Sequence, residues 1–160
     1  MNDYYPPTSG STTGNPLTEA RLFAIQAMYQ CLLLNRSMAD VLEEFTLHRL
    51  QGAQVETKLF SQILRGVSEE RDRYQTLISA QLRDGWTFDR LGLVERSLLF
   101  CAAYELDARV DTPFKVIISE YVGLARHFFD DPQVKFTNGV LQTIADKTRP
   151  DEVAKAKNPA

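Results

Sequence analysis

The sequence predicts an all-α protein of six to seven helices, and three observations carry that reading. Apolar residues recur at three- and four-residue intervals along most of the 160-residue chain, the spacing that lines one face of a helix. Residues 17–149 hold six glycines and two prolines, too few breakers for a protein of many short strands. No hairpin dipeptide separates two alternating strands; Asn138-Gly139 comes nearest and lies inside a helical period. With 44% hydrophobic and 24% charged residues, the chain has the balance of an ordinary globular domain.

The elements follow in order. Thr18 is placed to cap a first helix, with Leu17 and Leu22 at the two ends of a hydrophobic staple. Leu22, Ile25, Tyr29, Leu32 and Leu33 give that helix one apolar stripe. Ser37-Met38-Ala39-Asp40 resembles a capping box, with Asp for the usual Glu, and opens a second helix through Val41, Leu42 and Phe45. Thr57 opens a third, in which Leu59, Phe60, Ile63, Leu64 and Val67 share a face. The period resumes at Tyr74, Leu77, Ile78 and Leu82, which one long helix or two abutting ones satisfy equally. Thr87 or Asp89 starts a short turn into a helix carrying Val94, Leu98, Cys101, Ala102 and Leu106. Thr112-Pro113 sets a cap before a proline at the first helical position, where its missing N–H costs nothing. Phe114, Ile117, Ile118, Tyr121, Leu124, Ala125 and Phe128 follow. Asp131-Pro132 repeats the device for a last helix through Val140, Leu141 and Ile144, ending basic at Lys147 and Arg149.

The flanks differ from this core. Residues 1–16 include ten drawn from Pro, Ser, Thr and Gly and show no hydrophobic period, so they are expected to form a flexible tail. Residues 150–160, polar and opened by Pro150, are expected to form a second one. That leaves 17–149 as a single helical domain.

Several function classes lose support. A net charge of −3 does not fit a general nucleic-acid coat or a polybasic membrane binder, though it leaves room for a local basic face. No window approaches 18 consecutive apolar residues, so no membrane partner is expected. The start lacks the basic and apolar regions of a signal peptide. Cys31 and Cys101 lie far apart on apolar faces, as two reduced thiols of a cytoplasmic protein would. There is no HExxH, GxxxxGK[ST] or GxSxG motif and no clustered His/Cys ligand set. His48 and His127 are the chain's two histidines, and the adjacent carboxylates Glu43-Glu44, Glu69-Glu70 and Asp130-Asp131 point apart on a helix. The expectation is a protein that is not an enzyme, with no metal and no cofactor.

One cluster has the composition of a binding site. Arg126, His127, Lys135 and Phe136 gather around the Asp131-Pro132 turn. Lys135, Phe136 and Asn138 lie in the first turns of the last helix, where N–H groups and the helix dipole favour an anion. A cation, an aromatic ring and an amide are the parts that neutralise phosphate, stack a base and read a base edge. On spacing alone, a core Phe136 beside a solvated Lys135 is the favoured reading.

The stretch Ala20-Arg21-Leu22-Phe23-Ala24-Ile25-Gln26-Ala27-Met28-Tyr29-Gln30 resembles the opening "AR-x-x-A-x-Q-A-L-Y-Q" of the NusB transcription antitermination family. Glu95-Arg96-Ser97-Leu98-Leu99 with Tyr104-Glu105-Leu106 is similar to a further block of that family. So is Thr112-Pro113 followed by Val116-Ile117-Ile118-Ser119-Glu120 and Leu124-Ala125. Lys135-Phe136-Thr137-Asn138-Gly139-Val140-Leu141 resembles the signature "K-F-V-N-G-V-L". The resemblance covers residues 20–145 in order. It implies a compact all-α fold of two packed helical subdomains and a function without catalysis. The implied ligand is boxA-type single-stranded RNA of nascent ribosomal transcripts. The implied partners are the ribosomal protein NusE and the RNA polymerase antitermination complex. Carried over by position, Arg21, Lys135, Phe136 and Asn138 would face RNA, and Tyr29 and Glu95 would face NusE. A helical adaptor that keeps this fold but has little RNA affinity is the competing expectation.

The departures are local. Where family members often carry an arginine run before the "AR" pair, this chain reads Asn15-Pro16-Leu17-Thr18-Glu19. Phe100 stands where arginine is common, Ser119 replaces the asparagine of an "INE" triplet, and Gln142 takes the place of an aspartate. Each missing phosphate contact removes about 0.7 from the salt slope on a single strand, so RNA binding is expected to be weaker or more dependent on NusE. The charge is also uneven. Residues 38–108 carry eight basic and twelve acidic side chains, whereas residues 109–149 carry six and five. The acidity thus sits in the middle of the chain, where a basic protein could dock, and not on the cluster around Lys135.

Overall fold

The computed structural model describes residues 14–158. Over that range the chain forms eight α-helices: α1 (Pro16–Leu34), α2 (Met38–Glu44), α3 (Thr57–Glu69), α4 (Arg71–Ser79), α5 (Leu93–Ala108), α6 (Phe114–Phe128), α7 (Asp131–Thr148) and α8 (Pro150–Lys157). A π-helical turn, Phe45–Arg49, continues α2, and a single 3₁₀ turn, Phe88–Arg90, precedes α5. The expected N-terminal tail falls mostly on residues outside the described range.

The first helix begins earlier than its sequence signals suggest. Asn15, not Thr18, is its cap: the Asn15 carboxamide oxygen accepts from the N–H groups of Leu17 at 2.9 Å and Thr18 at 3.3 Å. Pro16 then takes the first helical position, where a proline forfeits no hydrogen bond. Thr18 is left free to donate its hydroxyl proton to Glu120 Oε1 of α6, at 2.7 Å. Nor does α1 show a single buried stripe, because every residue from Glu19 to Cys31 is buried. It is the central helix; its buried Arg21 finds carboxylate partners, whereas the buried Gln26 amide finds no hydrogen-bond partner. At its far end Asn35 adopts φ +51°, the left-handed stop that Asn tolerates.

The two-subdomain arrangement is present. Helices α1, α2 and α3 pack on one another, as do α5, α6 and α7, and the long α1–α5 contact joins the two groups. In the first group Phe45 lies between Phe60 (centroids 5.7 Å apart) and Phe23 (6.4 Å). Each such ring contributes roughly 1.5–3 kcal/mol by burial. The apolar period shared by residues 59–82 resolves into two helices, with the break at Glu70, whose φ and ψ are −125° and 29°. Gly66 on α3 is held by a close approach: a Cβ there would stand 1.9 Å from Cε1 of Tyr104 on α5.

Two buried arginines tie the helices together. Arg21 of α1 donates to both carboxylate oxygens of Glu105 on α5, at 2.8 and 3.0 Å, and to Glu120 of α6 at 2.8 Å. Tyr121 donates its hydroxyl proton to the same Glu105, and Arg109 adds a bond of 2.9 Å. Burial opposes the charge on Arg21, but the hydrogen bonds and charge of Glu105 outweigh it and raise its pKa. Arg149, between α7 and α8, donates to the carbonyl oxygens of Glu105, Leu106, Arg109 and Thr112. A cation thus caps the C-terminal end of α5.

The expectation of a flexible tail over residues 150–160 is corrected for residues 150–157. Pro150 ends α7 but also starts α8, since a proline that cannot continue one helix suits the first turn of the next. The short helix is docked by Val153, which is 7% exposed, and by Glu152, whose Oε2 accepts the Phe114 N–H at 2.7 Å. That bond also explains the start of α6. Its cap position is Pro113, not Thr112, and the carboxylate of α8 supplies the acceptor that Thr112 was expected to provide.

Candidate nucleic-acid interface

The first half of α7 carries most of the residues singled out from sequence. Its cap is Asp130, one residue earlier than expected, and Asp131 and Pro132 fill the first helical positions. From there the helical period deals out four neighbouring side chains. Lys135 and Asn138 are exposed, Phe136 is half-buried and Thr137 is buried. Lys135 and Asn138, three apart, share a face, whereas Phe136 lies to one side of them.

Two recesses flank this crest. On the Phe136 side, a hollow of about 440 Å³ is lined by Arg83, Trp86, Arg90, Asp130, Gln133 and Phe136, among others. The Trp86 and Phe136 rings lie 6.2 Å apart at 42°, and the Arg90 guanidinium sits 5.9 Å from the Trp86 centroid. Trp86 is 52% exposed. An open indole beside two arginines is a stacking surface with phosphate neutralisers at hand. On the Asn138 side, a groove of about 410 Å³ runs between α6, α7 and α8. Lys135 is on the ridge between them, and Arg126 lines the second groove together with Asn138.

Three of the sequence-predicted contacts are not on this surface. Arg21 is 2% exposed and committed to Glu105 and Glu120, so we withdraw it from the RNA-facing set. The reason is that its neighbours on α5 and α6 are acids, which the local sequence around Arg21 does not reveal. Glu95, expected to face NusE, is 1% exposed. Tyr29, the other expected NusE contact, is 8% exposed and belongs to the buried length of α1.

Glu95 instead lies beneath α7. Its Oε1 accepts from Thr137 Oγ1 at 2.7 Å, while Oε2 has no hydrogen-bond partner. Burial pushes the carboxyl up to about 7, against the pull of the Thr137 and Gln133 side chains. Thr137 Oγ1 also reaches the Gln133 carbonyl at 2.9 Å, so one hydroxyl proton serves two acceptors. A protonated Glu95 resolves this, donating to Oγ1 and leaving the threonine proton for Gln133.

Sequence reasoning missed Trp86, Arg83 and Arg90. The signal was present: the chain's one tryptophan stands in a Gly-Trp-Thr turn with an arginine three residues before it and another four after. It also missed Lys115 and Lys157 of the second groove, the latter because α8 was read as tail. Among the described residues no group of His, Cys, Asp and Glu is placed to hold a metal, and no helix is long and apolar enough to cross a membrane.

Fold and site together define an all-helical protein that brings aromatic and cationic side chains of α7 and of the segment before α5 together at its surface. The NusB family model matches residues 18–146. The transcription antitermination protein NusB of Novosphingobium aromaticivorans is 37% identical over 145 residues, covering 86% of this chain and 97% of that protein. Its counterpart in a Bradyrhizobium species is 34% identical over 155 residues, with 92% of each chain covered. Among solved structures, T. maritima NusB superimposes with a TM-score of 0.74 at 27% identity, over 88% of this chain and 98% of that one. A chain from the "Crystal Structure of a Plectonemic RNA Supercoil" matches with a TM-score of 0.61 at 26% identity, over 81% and 94% of the two chains. The chain belongs to the NusB family of transcription antitermination proteins.

Proposed function

We propose that this protein binds boxA-type single-stranded RNA in nascent ribosomal transcripts, together with NusE, and so supports read-through by the RNA polymerase antitermination complex. The observation that carries the reading is the α7 crest. Within a chain of this family, Lys135 and Asn138 stand exposed beside a Trp86–Phe136 pair flanked by Arg83 and Arg90. The cations neutralise phosphate, the rings take up bases, and the amide offers a donor and an acceptor to a base edge. The buried positions of Tyr29 and Glu95 leave the NusE surface unassigned by residue, and that of Arg21 removes one expected RNA contact. They do not weaken the case for an acidic chain that gains RNA affinity from a basic partner.

The test is a titration of boxA RNA and a scrambled RNA, with and without NusE, at two salt concentrations. We expect boxA to bind more tightly than the scramble, NusE to widen the difference, and affinity to fall as salt rises. Equal affinity for both RNAs under every condition overturns the reading and leaves a helical adaptor for proteins.

A further inference from the structure

The groove on the Asn138 side is charged in one sense only. Its charged lining residues are Lys115, Arg126 and Lys157, with no carboxylate among them, in a chain whose net charge is −3. All three are exposed, and among the described residues none of them is in an ion pair. Glu152 of α8 is engaged by the Phe114 N–H and by Arg149.

The groove is also built regularly. Lys115, Ser119, Val122 and Arg126 all line it and recur at three- and four-residue spacing, so one face of α6 forms a wall. Asn138 and Gln142, four apart on α7, form the wall opposite, and α8 closes the far side with Val153, Ala156 and Lys157. Lys115 and Arg126 are eleven residues apart, about 16 Å along the helix axis. That separation gives a track for a chain of charges, and it is too long for one small anion. Ser119, Asn138 and Gln142 add neutral hydrogen-bonding groups between the cations, which suits an extended phosphodiester. What favours RNA over an acidic protein segment is Asn138, which this groove shares with the α7 crest.

We infer that this α6–α7–α8 groove holds the phosphodiester backbone of the nucleotides flanking those at the α7 crest. The inference rests on the RNA reading given above. Asn138 makes the two surfaces continuous, since it belongs to the crest and to the groove wall at once. The groove thus offsets the basic residues absent before Arg21, by a second route along the surface.

The experiment compares two RNAs, the boxA core alone and the same core extended by several nucleotides on both sides. Three proteins are titrated across a range of salt: the parent, the triple variant Lys115→Gln/Arg126→Gln/Lys157→Gln, and a control, Lys58→Gln/Lys147→Gln/Lys155→Gln. The control makes the same change in charge at exposed lysines outside the groove. At about 0.7 per phosphate contact, the groove variant should lose about 2 from its salt slope on the extended RNA and almost nothing on the core. The control should lose less on the extended RNA. Helical circular dichroism and melting temperature should match across the three proteins. Parent-like binding of the extended RNA by the groove variant, or a loss no greater than the control's, overturns the groove. An equal loss on both RNAs overturns its assignment to flanking nucleotides, and tighter binding of poly-glutamate than of the extended RNA hands the groove to an acidic protein segment. Failure of the parent to bind either RNA defeats the RNA reading itself, and the groove falls with it.

Discussion

Arg21 and Lys135 lie in two of the most family-like stretches of this chain, and the structure sends them to opposite environments. Arg21 is 2% exposed and held by two acids from two other helices. Lys135 is exposed on the crest of α7, with no ion pair among the described residues. The difference is a matter of what surrounds each one. A guanidinium can be buried when planar donors meet carboxylates on both sides, and an ammonium beside open rings and arginines keeps its charge for an outside ligand. A cation inside a recognisable motif is thus evidence of importance, and its partners decide whether that importance is to the fold or to binding.

The largest effect expected is on the buried side. Arg21→Ala leaves Glu120 without its cation and Glu105, which is 0% exposed, with Arg109 as its one remaining cation. Removing one partner of such a buried pair costs about 3–5 kcal/mol, read from urea denaturation. The boxA affinity of whatever remains folded should be unchanged. A variant as stable as the parent that has lost RNA would break the comparison, returning Arg21 to the RNA surface.

Next comes Glu95, the other buried charge read as a surface contact. Its folded pKa is raised to about 7 from a usual carboxylate value near 4.5. The folded protein therefore holds a proton that the unfolded chain releases between those two values. Stability from this group is present below about pH 4.5 and is lost as pH rises towards 7. Glu95→Gln keeps a neutral partner for Thr137 and should flatten that fall, by a few kcal/mol at most at one unit of pKa per 1.4 kcal/mol. Melting temperatures of both proteins between pH 5 and 8 check this. Parallel curves would mean that Glu95 is ionised throughout.

Much of the helical framework was legible because the signals were local. Ser37 caps α2 through the Asp40 N–H at 3.1 Å, and the apolar faces of α3 and α6 are buried as their spacing required. What was not legible depended on residues distant in sequence. The start of α6 is completed by Glu152, 38 residues away. The burial of Arg21 is set by Glu105 and Glu120, 84 and 99 residues away. The site was legible by the same measure: Lys135, Phe136 and Asn138 are neighbours on one helix, whereas Trp86 and Arg90 reach Phe136 only through the packing of the turn before α5.

On the exposed side, Trp86 sharpens the reading of Phe136. Phe136 is packed against the core as well as against Trp86, so Phe136→Ala mixes a loss of packing with any loss of stacking. Trp86 is half in solvent. Trp86→Ala should therefore cost less than about 1 kcal/mol of stability, but about 1–3 kcal/mol of RNA affinity if a base stacks on it. Calorimetric melting paired with RNA titration separates the two. A stability loss of several kcal/mol with unchanged RNA binding would make the indole a structural lid on the turn and remove it from the interface.

The smallest effect, and the one that bears most directly on the opening contrast, is Lys135→Glu. An exposed lysine without an ion pair contributes little to the fold, so the melting temperature should move by no more than a degree or two, in keeping with roughly 0.5 kcal/mol for such a site. RNA affinity should fall, and the salt slope should drop by about 0.7, the value of one phosphate contact on a single strand. Losing affinity uniformly across RNA sequences would mark Lys135 as a phosphate contact, and losing it for boxA alone would mark it as a reader of bases. An unaltered slope with unaltered affinity would place Lys135 outside the interface. The crest of α7 would then have to act through its rings and Asn138, without the cation that sets it apart from the buried Arg21.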